Sequence, residues 1–248
     1  VTVKEPTMHV QSSALRKAGL AAGVVVLLAG CGGRGAGDGS DFSKESATDI
    51  LTAAATDMQA LKTVRMAGRI EASGQQIGFD LQLTTQGDCQ GTFKVGDGSA
   101  RIIASGGDSW MKPDHEFWTM QAGRQASQIE GLVGDKWVAI PADSSLSSVC
   151  DLDSFLDKIK DPGNDKKSSA TVVGTDTVAG HDAVQVRDMG RGDDKTDGWV
   201  SADDPHYLLK LEVTGSGGGT VTFSDFDSDV TIKAPDPSDV VDLSRPTG

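Results

Sequence analysis

The chain has 248 residues, of which 37% are hydrophobic and 5% aromatic, and a formal charge of −13. That apolar content is enough for a core and too high for a disordered chain, and the length suits one domain. The acidic balance argues against nucleic acid and anionic lipid headgroups as partners of the chain as a whole, because both are negative.

The first thirty residues read as an export signal. Arg16 and Lys17 form a basic segment, residues 18–28 (AGLAAGVVVLL) are apolar, and Leu28-Ala29-Gly30-Cys31 follows with small residues before the cysteine. The apolar run is too short to span a hydrocarbon core, which needs about 20 such residues. Leu-Ala-Gly-Cys resembles a lipobox, so residues 1–30 are expected to be a signal peptide and Cys31 the lipidated first residue of a membrane-anchored, extracytoplasmic chain. Val1 then reads as a non-AUG start, with Met8 an alternative that leaves the leader intact. The leader's own net charge is +2, so its removal from a chain of −13 leaves −15 on residues 31–248.

Cys89 and Cys150 remain. An even pair in an oxidising compartment suggests one disulfide, with two buried free thiols as the alternative. Neither has a His or Cys at metal-ligand spacing, so no metal site is expected.

After a glycine-rich tether through residues 31–44, residues 45–62 read as an amphipathic helix with Ile50, Leu51, Ala54, Met58 and Leu61 on one stripe. The period then drops to two. Residues 66–73, 77–85, 91–95, 101–104, 109–112 and 117–120 read as strands separated by Gly- and Asp-rich turns, an antiparallel meander. Residues 123–134 read as a short helix, 137–140 as a strand, and 152–159 as a second short helix capped by Asp151. Alternation resumes over 170–178, 182–188, 197–201, 206–214 and 220–226, with Tyr207, Leu209, Leu211 and Val213 on one face. The stretch 233–248 is a Pro- and Asp-rich tail. The expected fold class is α+β: a strongly curled antiparallel sheet, a half-open barrel around the N-terminal helix and the helical insertion, with a sandwich as the alternative.

No catalytic or cofactor constellation accompanies this pattern. His115, His181 and His206 each lie at or beside a turn, and no Ser sits in a Gly-x-Ser-x-Gly setting. Asp225, Asp227 and Asp229 alternate and would share one face of a strand, but the glycine and terminal glutamate of a calcium loop are missing, so they read as a solvated acidic face. Asp193, Asp194 and Asp197 read the same way, and Arg191-Gly192-Asp193 reads as a chance tripeptide. Gly215 to Gly219 lacks the lysine and helix of a phosphate loop and reads as a turn.

The order of parts resembles LolA/LppX-like lipoproteins. The GDCQG run at 87–91, WMKP at 110–113, KWV at 136–138 and VCDLD at 149–153 are similar to a set of actinobacterial exported lipoproteins. The resemblance covers most of residues 45–232. It implies an incomplete barrel with an apolar cavity, a Cys89–Cys150 disulfide, and carriage of acyl chains or lipidated molecules without catalysis.

The aromatic density at Trp110, Phe117, Trp118, Trp137 and Phe155 fits either a pocket lining or ordinary core. The candidate lining is therefore Met58, Leu61, Phe79, Leu81, Trp110, Phe117, Trp118, Leu132, Trp137, Phe155, Leu209 and Leu211. The expected partner is a lipid or apolar small molecule. The competing expectation is a filled core and an envelope protein partner.

Overall fold

The structure is a computed structural model that describes residues 41–72, 74–141, 150, 152, 170–189, 195–215 and 217–244. The expected helix 152–159, Phe155, Cys31 and Asp193–Asp194 lie outside the described residues, apart from Leu152.

Helix α1 spans Ala47–Ala60. Ser46 caps it, its hydroxyl accepting from the Asp49 N–H at 3.2 Å, and Asp49 places negative charge in the first turn, where the helix dipole favours it. Ile50, Ala54 and Met58, four residues apart, are 0–2% exposed, so one stripe is wholly buried. Leu61 ends the helix in an extended conformation and is itself buried.

Twelve strands follow: β1 (Thr63–Ala72), β2 (Gln75–Thr84), β3 (Cys89–Val95), β4 (Gly98–Ser105), β5 (Asp108–Pro113), β6 (Trp137–Ile140), β7 (Thr171–Val178), β8 (His181–Met189), β9 (Lys195–Ser201), β10 (Leu208–Thr214), β11 (Gly219–Ser224) and β12 (Val240–Val241). They form one sheet in the order β12-β6-β5-β4-β3-β2-β1-β11-β10-β9-β8-β7. Two antiparallel meanders, β1–β6 and β7–β11, meet where β11 pairs antiparallel with β1. The sheet is open, as expected, and not a sandwich. The described residues fall in one compact unit, Gly39–Gly248.

Three expectations need correction. Residues 117–120 are not a strand but part of α2 (His115–Ala122). The Asp114 carboxylate accepts from the Phe117 N–H at 2.8 Å and nucleates the helix, a capping signal that four alternating residues do not reveal. A 3-10 turn, Gly123–Gln125, leads into α3 (Ala126–Val133). The tail also belongs to the sheet, because β12 pairs parallel with β6. Finally, Asp225 and Asp227 have positive φ of 52° and 50°, so their run is a turn and not a strand face. The Asp227 carboxylate accepts from the Lys62 N–H at 2.7 Å.

Alternation assigns the two faces. Val64, Met66, Leu81, Leu83, Cys89, Ile102, Ala104, Val184, Val186, Val200, Leu208 and Phe223 are buried with α1 in the main core. This is the concave face. The backbones approach closely where β11 meets β1: a Cβ at Gly68 would collide with the Thr220 carbonyl and reach within 2.9 Å of the Val221 Cα. Only glycine lets the two backbones close on each other there.

Candidate functional site

Cys89 and Cys150 are joined, with Cα atoms 5.4 Å apart and a sequence separation of 61. Both are buried, and Leu152 beside the bridge is 1% exposed. The bridge therefore pins Cys150 to the concave face at β3.

The concave face divides by depth. In the deep row, cross-strand neighbours Phe223, Met66, Leu81, Ile102 and Val138 are 0–7% exposed. Met58 and Leu61 belong to the same core as Phe223, Met66, Leu81 and Ile102. The register places Val221, Gly68, Phe79 and Phe93 in the next row, with Ile70 and Ile77 beyond. There Phe79, Phe93, Ile77 and Val221 are only half-buried and Ile70 is 36% exposed, while Val95 beside Ile77 is buried. Helix α2 reaches the far end of this face, where a Cβ on Gly98 would lie 2.6 Å from the Phe117 Cα. The result is an apolar shelf bounded by α1 and α2.

Of the candidate lining residues, Met58, Leu61 and Leu81 lie in the buried core, with Phe79 and Leu211 packed against it. Phe117 is buried on α2, and Trp118 is half-buried with the two rings edge to face at 6.4 Å. Four others do not belong to the concave face. Leu132 on α3 is 74% exposed. Trp110 and Trp137 take the outer face, because their neighbours Met111 and Val138 pair with Ile102 and each other on the inner one. The Arg101 guanidinium covers the Trp137 ring at 5.4 Å. Leu209 also points outward, because a bulge between Leu208 and Lys210 resets the alternation. It packs with Ala183 and Trp199 in a second, outer cluster flanked by stacked Tyr207 and Phe226. Trp199 was not anticipated; its ring carries Lys210 at 4.1 Å and donates to Asp176 at 3.1 Å. Ile70, Ile77, Phe93 and Val221 were also missed, although each sits two residues from another inward position.

Polar features lie elsewhere. A groove of about 640 Å³ runs over the outer face of β11, β1, β2 and β3, beside a bidentate pair in which Arg65 donates to Asp80 at 2.8 and 2.6 Å. Arg65 holds the Asp80 carboxyl below its ordinary value. A cleft of about 800 Å³ at the β7–β8 edge is acidic, lined by Asp41, Glu45, Asp176, Asp182, Asp203 and Asp204. Among the described residues no three His, Cys, Asp or Glu side chains are grouped to hold a metal. His115 pairs with Glu130 at 2.9 Å, and His206 stacks on Phe42 at 3.7 Å between ring centres.

Neither a protein-family model nor a curated protein sequence matches this chain. Solved structures do. LprF from Mycobacterium bovis superposes with a TM-score of 0.54 at 18% identity, covering 76% of this chain and 96% of that one. The Mycobacterium tuberculosis lipoprotein LppX superposes with a TM-score of 0.53 at 14% identity, covering 75% of this chain and 98% of that one. The chain therefore has the LppX-like fold that its sequence resemblance to LolA/LppX-like lipoproteins led one to expect.

Proposed function

We propose that this protein is a membrane-anchored extracytoplasmic lipoprotein that binds a lipid or other apolar ligand on the open end of its concave face, without catalysis. The observation that carries the reading is the half-exposed apolar shelf of Ile70, Ile77, Phe79, Phe93 and Val221 beside a fully buried core. Each methylene laid on such a surface contributes about 0.8 kcal/mol. The LppX-like fold supports the assignment, and the Leu28–Cys31 motif supports the anchor. Native mass spectrometry of the mature chain from its own host, with organic extraction, tests the ligand. A bound lipid, or uptake of a fatty-acyl probe that Phe79→Asp abolishes, is expected. Repeated preparations that carry nothing and take up no probe would refute carriage.

One observation favours a second reading, an envelope protein with a protein partner. Ile50, Met58, Leu61 and Leu81 are 0–2% exposed, so the half of the concave face beneath α1 is filled by the protein's own side chains. Crosslinking in intact cells from a residue on the shelf separates the two: acyl probes and protein adducts are distinct products.

A further inference from the structure

The outer groove sets two exposed cations, Arg69 and Lys94, on either side of a glycine. Its floor is Gly78, whose cross-strand neighbours are Arg69 on β1 and Lys94 on β3. A Cβ at position 78 would sit 3.6 Å from the Lys94 Cβ and 4.0 Å from the Arg69 Cγ, so the two cationic side chains rise as walls on either side of a missing one. Their Cα atoms lie two strand spacings apart, about 9.6 Å, a gap that two long side chains span by leaning inward over a small anion. Both residues are exposed, and neither forms an ion pair with a described residue. Asp80, also on the wall, is neutralised by its bidentate pair with Arg65. Glu71 is the one acid in the groove without a cation in contact. Thr92 and Thr220 add hydroxyls, whereas the Thr222 hydroxyl already donates to the Ala67 carbonyl at 3.1 Å.

Two cations that face an open groove in a chain of −13 are placed against the overall field. Strand propensity alone would fill position 78 with a branched or aromatic residue. The volume of about 640 Å³ lies within the roughly 300–1,000 Å³ of ligand sites, although this one is open to solvent. Cation pairs of this kind hold phosphate oxygens through charge-assisted hydrogen bonds.

We infer that the Arg69–Gly78–Lys94 groove binds a phosphate-bearing anion, either a phospholipid headgroup in a bilayer or a soluble phosphate ester. The site lies on the opposite face of the sheet from the apolar shelf and does not depend on it. The test uses residues 31–248 with Cys31→Ser, which removes any acyl anchor. Vesicles of phosphatidylcholine, with or without phosphatidylglycerol, probe the bilayer source, and glycerol 3-phosphate followed by amide NMR shifts probes the soluble one. Binding to at least one anionic probe is expected, weakened by salt, with no binding to pure phosphatidylcholine. Arg69→Gln with Lys94→Gln should reduce affinity at least tenfold without altering thermal unfolding. Gly78→Thr, which keeps both charges but fills the floor, should also weaken binding, while Glu71→Gln should tighten it. Vesicle binding alone assigns the headgroup, and glycerol phosphate shifts alone assign the soluble ester. Failure to bind either probe, or equal binding by the double variant, would overturn the inference.

Discussion

Cutting the Cys89–Cys150 bridge should destabilise the domain by about 4 kcal/mol. The number follows from the 61-residue separation: closing a loop of that length removes about 14 cal/mol/K from the unfolded chain, or about 4 kcal/mol at 25 °C. For a domain of this size that corresponds to a fall in Tm of roughly 8–16 °C, or about 2 M in urea midpoint at a slope of about 2 kcal/mol/M. The assay is urea unfolding of the mature chain, oxidised and reduced, beside Cys89→Ala/Cys150→Ala. Because Cys89 is fully buried and Cys150 is 3% exposed, the alanine pair should lie slightly below the reduced wild type, having lost two sulfur atoms from the core as well as the bond. Adding reductant to the double variant should change nothing. A double variant with the midpoint of the oxidised wild type would show that the bridge does not constrain the unfolded chain.

Other expectations follow from the sheet and its helices. Gly68→Ala should destabilise by about 1–3 kcal/mol, since its Cβ meets backbone, whereas Gly78→Ala has ordinary contacts and should stabilise by up to about 1 kcal/mol; paired urea midpoints give the signs. Leu81→Ala, at 0% exposure, should cost about 2–5 kcal/mol, and Leu132→Ala, at 74%, should stay within about 0.5 kcal/mol of wild type. The hydrogen bond that the His115 ring donates to the Glu130 carboxylate, reinforced by that group's charge, raises the His115 pKa above 6.5. The stabilising contact between α2 and α3 should therefore be complete below about 6.5 and fade as pH rises through the raised value. NMR titration of the His115 ring should show that midpoint, and Glu130→Gln should lower it.

What was legible in the sequence was mostly what depends on period. The stripe of α1 and eleven of the twelve strands among the described residues follow from apolar spacing, because a buried face imposes its period on the residues that make it. The failures occur where a local device interrupts the period. Asp114 converts Phe117–Met120 into helix by capping it, and the bulge at Leu208–Lys210 turns Leu209 outward, so strict alternation over 206–214 assigned the wrong leucine to the core. The parallel pairing of Val240–Val241 joins segments a hundred residues apart, and no local pattern announces it. The shelf was half-legible: Phe79 and Leu81 stood out in a clean alternation, but Ile70, Phe93 and Val221 become neighbours only once register is known. The outer groove was hidden because only register brings Arg69, Gly78 and Lys94 side by side.

The strand order has a mechanical consequence. The 3-10 turn at Phe42–Lys44 contacts β7 at one edge of the sheet, while Val240–Val241 forms the opposite edge. A force drawn between the two ends of this domain would free β12 from β6 and then pass through α1 into β1 and back from the tail into β11, opening that ladder from its Arg65–Ser224 end. Resistance to pulling would then reside in the seam between β1 and β11, where the two meanders meet, and the margins of the sheet would carry little of the load.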